Sequence, residues 1–297
     1  VFETGFPGHM AKAKRTMAEH IRLVDLVVEV LDARAPFSTA NPELARLAGR
    51  KPRIIVLNKA DLANPAVTRR WLQHLQAQGL AAVAASAVAG RGIKELVQLM
   101  RVQAEPGRQK LAAKGIRRAA ARVMIVGIPN VGKSQLINRL VGKTAARTGD
   151  QPGITRGKQW VRVAGDFELL DTPGVLWPRL QNAQTVHRLA LLGTIGGGEY
   201  DAVEVATVLA AHLAGTAPAA LRERYRLAEI ASEPSANLTA IGTNRGCLGP
   251  GGSVDIAKAA ALLVRDYQTG NLGRISLELP PEGETMAVAD DIEGDVE

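Results

Sequence analysis

The stretch Gly127-Ile128-Pro129-Asn130-Val131-Gly132-Lys133-Ser134 has the spacing G-x-x-x-x-G-K-S. Residues of these types in this order suit the cradling of a polyphosphate. The glycines let the backbone wrap a phosphate closely, and successive N–H groups with a helix N-terminus supply positive potential. Lys133 is expected to reach the β and γ phosphates and Ser134 to offer its hydroxyl to Mg²⁺. Asn130, Val131, Gly132, Lys133, Ser134 and Gln135 are therefore candidate nucleotide-binding residues. Further on, Asp171-Thr172-Pro173-Gly174 follows a run of strand character. Alone it would read as a plain turn. After a phosphate loop it is expected to hold Mg²⁺ through water at Asp171 and to sense the γ-phosphate with the Gly174 N–H. Thr155, between the two, offers a second hydroxyl to the metal; a surface-loop threonine is the alternative.

Base choice is the next question. Asn58-Lys59-Ala60-Asp61 ends another apolar run, and the Asp61 carboxylate can accept two hydrogen bonds from N1–H and the exocyclic amine of guanine. Adenine cannot donate that pair. Asn58 is expected to tether neighbouring loops, and the Lys59 stem to cover a face of the base ring. Ser86-Ala87, with backbone N–H groups, would close the pocket. GTP and GDP are the expected ligands.

The elements that must position these residues are legible as pattern. Runs rich in Val, Ile and Leu at 26–31, 53–57, 81–85, 122–126, 159–163 and 167–170 read as buried strands. Helix-forming stretches at 41–48, 65–78, 93–103 and 133–141 alternate with them, which predicts an α/β fold with a largely parallel sheet. Beyond residue 182 helical stretches are expected at 185–192, 202–213, 219–231 and 254–267, the last capped by Ser253. The division predicted is a GTPase domain at 1–178, a smaller α-helical domain at 179–280 and a solvated acidic tail at 281–297. Gly196–Gly198 and Gly246–Gly252 read as turns.

Composition sets outer limits. The chain has 297 residues, 46% hydrophobic and 22% charged, enough for a sizeable core and incompatible with disorder or collagen. No apolar run reaches the ~18 residues of a membrane span. The one cysteine, Cys247, excludes an internal disulfide and fits a reducing compartment. Residues 1–20 lack a signal peptide, so a cytoplasmic protein with a trimmed or incomplete start at Val1 is expected. Net charge is +8, and the last sixteen residues hold seven acids and no base, leaving the rest at +15. So basic a body points to nucleic acid, with an anionic membrane surface as the competing partner. Aromatics at 3% are too few for base stacking, which favours phosphate backbone as the target.

The motifs come in an unusual order, with the guanine-reading residues ahead of the phosphate loop. Strands pair in space and not by chain order, so a circularly permuted GTPase would keep its pocket intact. Phe6-Pro7-Gly8-His9-Met10-Ala11-Lys12-Ala13, Asp32-Ala33-Arg34-Ala35-Pro36, Arg245-Gly246-Cys247-Leu248 and Leu272-Gly273-Arg274-Ile275, together with the phosphate loop, resemble the ribosome biogenesis GTPase A family from about residue 3 to 279. The resemblance implies a GTPase that binds a late precursor of the large ribosomal subunit and is stimulated there. Gly5 departs from the family pattern, which has Trp.

After Gly174 come Val175 and Leu176, which cannot orient a water as glutamine does. Slow hydrolysis by the isolated protein is expected. The resemblance suggests His9 as the residue that positions water or acts as base; a capping role at a helix starting near Met10 stays open. In GTPases with this loop sequence Asn130 can ligate K⁺, which predicts K⁺ stimulation. Lys12, Lys14, Arg15, His20 and Arg22, and Arg108, Lys110, Lys114, Arg117, Arg118 and Arg122, are candidate contacts for ribosomal RNA phosphates. The expectation is a monomeric GTPase assembly factor for the large (50S) subunit. A nucleotide-dependent signalling or membrane-surface switch is the rival.

Overall fold

The structure, a computed structural model, describes residues 7–116, 120–142, 159–163, 165–171, 182–196, 198 and 200–281, with backbone alone for 7–13, 159 and 171. Helix α1 (Pro7–Leu23) leads into β1 (Leu26–Asp32), whose Leu and Val residues are all buried. Two short helices follow, α2 (Pro36–Thr39) and α3 (Pro42–Ala48), each opened by a proline whose fixed φ suits a first turn. Strand β2 (Arg53–Asn58) precedes α4 (Pro65–Ala77), capped by the Asn64 side chain, which accepts from Ala66 N and Val67 N. Next come β3 (Ala81–Ala84), α5 (Ile93–Ala113), β4 (Ala121–Val126) and α6 (Lys133–Val141). Strands β5 (Gln159–Val163) and β6 (Phe167–Asp171) close the set.

The six strands form one sheet in the order β3-β2-β1-β4-β6-β5, parallel throughout except for the β5–β6 pair. Parallel strands are covered on both faces, which is why their sequences are nearly continuous apolar runs and not alternating ones. One face packs Leu96, Met100 and Leu136 of α5 and α6 against the sheet; the other packs Trp71 and Leu75 of α4 against Leu31, Ile55 and Leu57. Burying each such side chain contributes about 1.5–3 kcal/mol.

A helical part follows: α7 (Ala183–Leu191), α8 (Ala202–Thr216), α9 (Pro218–Tyr225), α10 (Pro234–Arg245) and α11 (Ile256–Thr269). Val205, Leu209 and Leu213 of α8 pack with Leu238, Ile241, Leu263 and Tyr267. Among the described residues no single helix is long and apolar enough to cross a membrane.

Each strand appears within a residue of its expected bounds, but three helical expectations need correction and one helix was missed. Helix α5 runs on to Ala113, through Pro106. The hydrogen bond that Pro106 cannot make belongs to an exposed stretch, where water can serve the orphaned carbonyl instead. The cap of α11 is Asp255, which accepts from Lys258 N, whereas Ser253 bonds Pro250 O. The helix expected at 219–231 ends at Tyr225, because Arg226 turns left-handed at φ 55°. Helix α10 was not expected at all. Its Asn, Thr and Gly residues are poor helix formers, yet Asn237 is buried on Ala231 and Gly242 lets Val254 approach where a Cβ would meet it at 2.4 Å.

Candidate functional site

Register fixes where the motifs emerge. Asp32 lies opposite Asn58, Leu57 opposite Ala84, and Glu29 opposite Val126. The loops after β2, β3 and β4 therefore leave the sheet at one edge, the carboxyl edge where α/β folds bind ligands. β6 runs parallel to β4 and ends at Asp171 on that same edge.

The phosphate loop leaves β4 hard against β1: a Cβ on Gly127 would lie 2.5 Å from Val30 O. Asn130 (φ 61°) and Gly132 (φ 95°) then swing the backbone into α6. Val131 is buried beneath the loop, while Ser134 and Gln135 stand exposed on the first turn of α6. Lys133 curls back, its Nζ donating to Gly127 O and Ile128 O, both at 2.9 Å. Burial pulls its pKa below the usual lysine range. A phosphate in the loop would give this partly desolvated ammonium an anionic partner.

Asn58 is the hub that joins the other loops to this one. Its Nδ2 donates to Val131 O at 2.8 Å and its Oδ1 accepts from Ala87 N at 3.0 Å. A buried amide satisfied on both ends fixes three loops relative to one another. Ala60 N donates to Ala85 O at 3.0 Å, bringing the Asn58–Asp61 loop against the end of β3. Ser86 Oγ accepts from Ala89 N, and Arg139 of α6 donates to Ala87 O at 2.8 Å. Asp61 is half-buried at the edge. Lys59, at φ 57°, sends its ammonium to Asp32 Oδ2 at 3.1 Å.

The structure thus gathers Asn58, Lys59, Ala60, Asp61, Ser86, Ala87 and Asn130–Gln135 along one sheet edge. Thr155 and Gly174 lie outside the described residues. His9 is in the first turn of α1, which begins at Pro7 and not near Met10, so it sits inside the helix and not at its cap. Among the described side chains, the exposed Ser134 hydroxyl on the first turn of α6 is an oxygen donor of the kind Mg²⁺ takes; the Asp171 side chain lies outside them.

Two features were not foreseen in the sequence. Asn130 Nδ2 donates to Gly193 O at 2.5 Å, linking the phosphate loop to the turn after α7. Asp32 and Arg34 form a buried ion pair next to Lys59; an acid and an arginine two residues apart at a strand end was the available signal. One expected RNA contact is corrected: Arg122 lies within β4, 3.8 Å from Glu168 and 4.4 Å from the Trp160 ring centre. Of the remaining bases, Arg108, Lys110 and Lys114 are exposed at the end of α5, while Lys14 and Arg15 pair with Glu43 and Glu19. Arg117 and Arg118 lie outside the described residues.

A parallel sheet with a phosphate loop after one strand and an Asn-Lys-x-Asp loop two strands away, both opening at its carboxyl edge, is the architecture of a P-loop GTPase. Comparison with known proteins agrees. The family described as 50S ribosome-binding GTPase matches residues 122–210, beginning at the strand that enters the phosphate loop. Ribosome biogenesis GTPase A of Bacillus cereus is 43% identical over 289 residues, covering 97% of this chain and 98% of the relative. The Priestia megaterium protein of that name is 43% identical over 280 residues, covering 94% and 97%. A GDP-bound YlqF structure superimposes with a TM-score of 0.63 at 30% identity, covering 90% of this chain and 99% of the other. The chain belongs to the ribosome biogenesis GTPase A family. It is a GTPase of ribosome assembly.

Proposed function

We propose that this GTPase acts at a late step of large-subunit assembly, binding the precursor in its GTP form and leaving it on hydrolysis. The observation that carries the nucleotide half of this reading is the Asn58 hub, which ties the base-reading, Ser86-Ala87 and phosphate loops into one crevice. Asp61 reads the guanine edge, Lys59 covers the ring, and Ser86 and Ala87 close the pocket. Asn130, Val131, Gly132, Lys133, Ser134, Gln135 and Gly174 hold the phosphates. Mg²⁺ would be held by Ser134, Thr155 and, through water, Asp171, and would neutralise developing charge on the phosphates. K⁺ would take Asn130 as a ligand through its amide oxygen, the atom with free lone pairs, while Nδ2 donates to Gly193 O.

The subunit half is supported by the family match described as 50S ribosome-binding and by the +8 net charge. The protein is read as cytoplasmic and monomeric, divided into a GTPase domain (1–178), a helical domain (179–280) and an acidic tail (281–297). With no glutamine after Gly174, hydrolysis is slow alone and is stimulated on the precursor, where His9 positions the attacking water.

The test is GTP turnover with and without large-subunit precursors, for the intact protein and for His9→Ala. Stimulation that His9→Ala abolishes, with GTP binding retained, supports the reading. Turnover unaffected by precursors, or stimulation by anionic vesicles instead, would replace it with the signalling or membrane-surface switch.

A further inference from the structure

The segment Asp32-Ala33-Arg34 has no part in the function described so far, yet it places a buried charge cluster against the base-reading loop. Asp32 closes β1 with its side chain fully buried, and Arg34, 1% exposed, grips it with both arms of its fork, Nε to Oδ1 at 2.9 Å and Nη2 to Oδ2 at 2.8 Å. Oδ2 also receives the Lys59 ammonium at 3.1 Å. Burial alone would raise the Asp32 carboxyl pKa, but the Arg34 and Lys59 charges outweigh it and hold the group below its usual range.

Arg34 already neutralises this carboxylate, so the second cation calls for its own explanation. Lys59 has a left-handed backbone, uncommon for a residue other than glycine. Its side chain is 21% exposed and tied at the far end to Asp32. A four-carbon stem is thus stretched between a fixed backbone and a fixed anion. The anchor is rigid in turn: Arg34 O accepts from Leu277 N at 2.8 Å, and the Arg34 guanidinium lies 5.2 Å from the Tyr267 ring centre.

We propose that Asp32, clamped by Arg34, is a positioning residue for the guanine nucleotide, anchoring the Lys59 ammonium so that its stem is laid out beforehand as the apolar floor of the base. This rests on the guanine-pocket reading of residues 58–61. A lysine ordered before binding loses less rotamer freedom when the base arrives, and that difference is read as affinity.

The experiment is a double-mutant cycle on the full chain, with the affinity of N-methylanthraniloyl-GDP measured by fluorescence for wild type, Asp32→Asn, Lys59→Met and the double variant. Lys59→Met keeps an apolar stem and removes the ammonium. Asp32→Asn is expected to weaken GDP about tenfold with Lys59 present and less than twofold in the Lys59→Met background. Equal losses in both backgrounds, or no loss in either, would overturn the proposal, because a merely structural role for Asp32 does not depend on Lys59. If Asp32→Asn fails to fold, Arg34→Lys, which keeps the charge and loses the two-armed grip, is carried through the same cycle with the same criteria. The matching ADP analogue is measured on wild type. A wild type that binds both alike would remove the guanine pocket itself, a failure distinct from an additive cycle.

Discussion

At the residue scale the site depends on positions where one atom more does not fit. Gly132 combines φ 95° with an approach that puts Asn58 Nδ2 2.3 Å from any added Cβ. Gly132→Ala is predicted to displace the Asn58 amide, lower stability by about 1–3 kcal/mol and weaken GDP binding at least tenfold; urea unfolding and nucleotide titration check both effects. Asn58→Ala removes both tethers at once and leaves Val131 O and Ala87 N without their partner. It is predicted to lower stability by about 2 kcal/mol in the same unfolding experiment. These roles were partly readable from the sequence. The motif spacing named Asn58 as a tether, which its bonds to Val131 O and Ala87 N show, because that role follows from local geometry after a strand. The Asp32–Arg34 spacing signalled their pair, but the hold of Tyr267 and Leu277 on Arg34 was not readable, since both stand far along the chain and nothing local announces them.

At the element scale, strands were more legible than helices. The apolar runs of β1, β2 and β4 have one physical cause, burial on both faces, and turn residues bound them sharply. Helix α10 is held by tertiary contacts that override weak propensity, which a local pattern does not contain. In α11, Asp266 accepts from Arg224 Nε and Nη2, from Tyr225 OH and from Asn271 Nδ2, at 2.8–3.0 Å. Burial would raise its carboxyl pKa; the hydrogen bonds and the Arg224 charge outweigh that and leave it depressed. A carboxyl depressed by folding contributes stability above its unfolded pKa, near 3.9, and loses it as pH falls through the folded value. Stability is therefore predicted to fall as pH drops below about 4. Asp266→Asn is predicted to be less stable at pH 7 by about 2 kcal/mol and flatter below pH 5, as thermal melts across pH 3–7 would show.

At the scale of the whole molecule, the helical part returns to the nucleotide-reading half. Ile275 N donates to Leu62 O, Asn64 N to Ser276 Oγ, and Trp71 Nε1 to Glu278 O, while the Glu278 carboxylate accepts from Phe37 N and Ser38 N. The residue after Asp61 is thus bonded to the segment after α11, and Asn130 to the turn after α7. The described contacts of the helical part reach the loop after β2 and the phosphate loop, a long-range arrangement that no local pattern encodes. If the precursor is held through RNA phosphates, its binding is predicted to weaken steeply with salt, roughly tenfold or more between 50 and 200 mM. Co-sedimentation at graded salt measures this, and salt-insensitive binding would point to protein contacts.

Asp61 is proposed to read guanine in a pocket shared with Lys133. The direct measurement is nucleotide selectivity of Asp61→Asn, titrated with GTP and with xanthosine triphosphate. The variant should lose GTP affinity and gain xanthosine triphosphate, reversing the wild-type preference. Unchanged GTP affinity with no gain for the xanthine nucleotide would contradict the account.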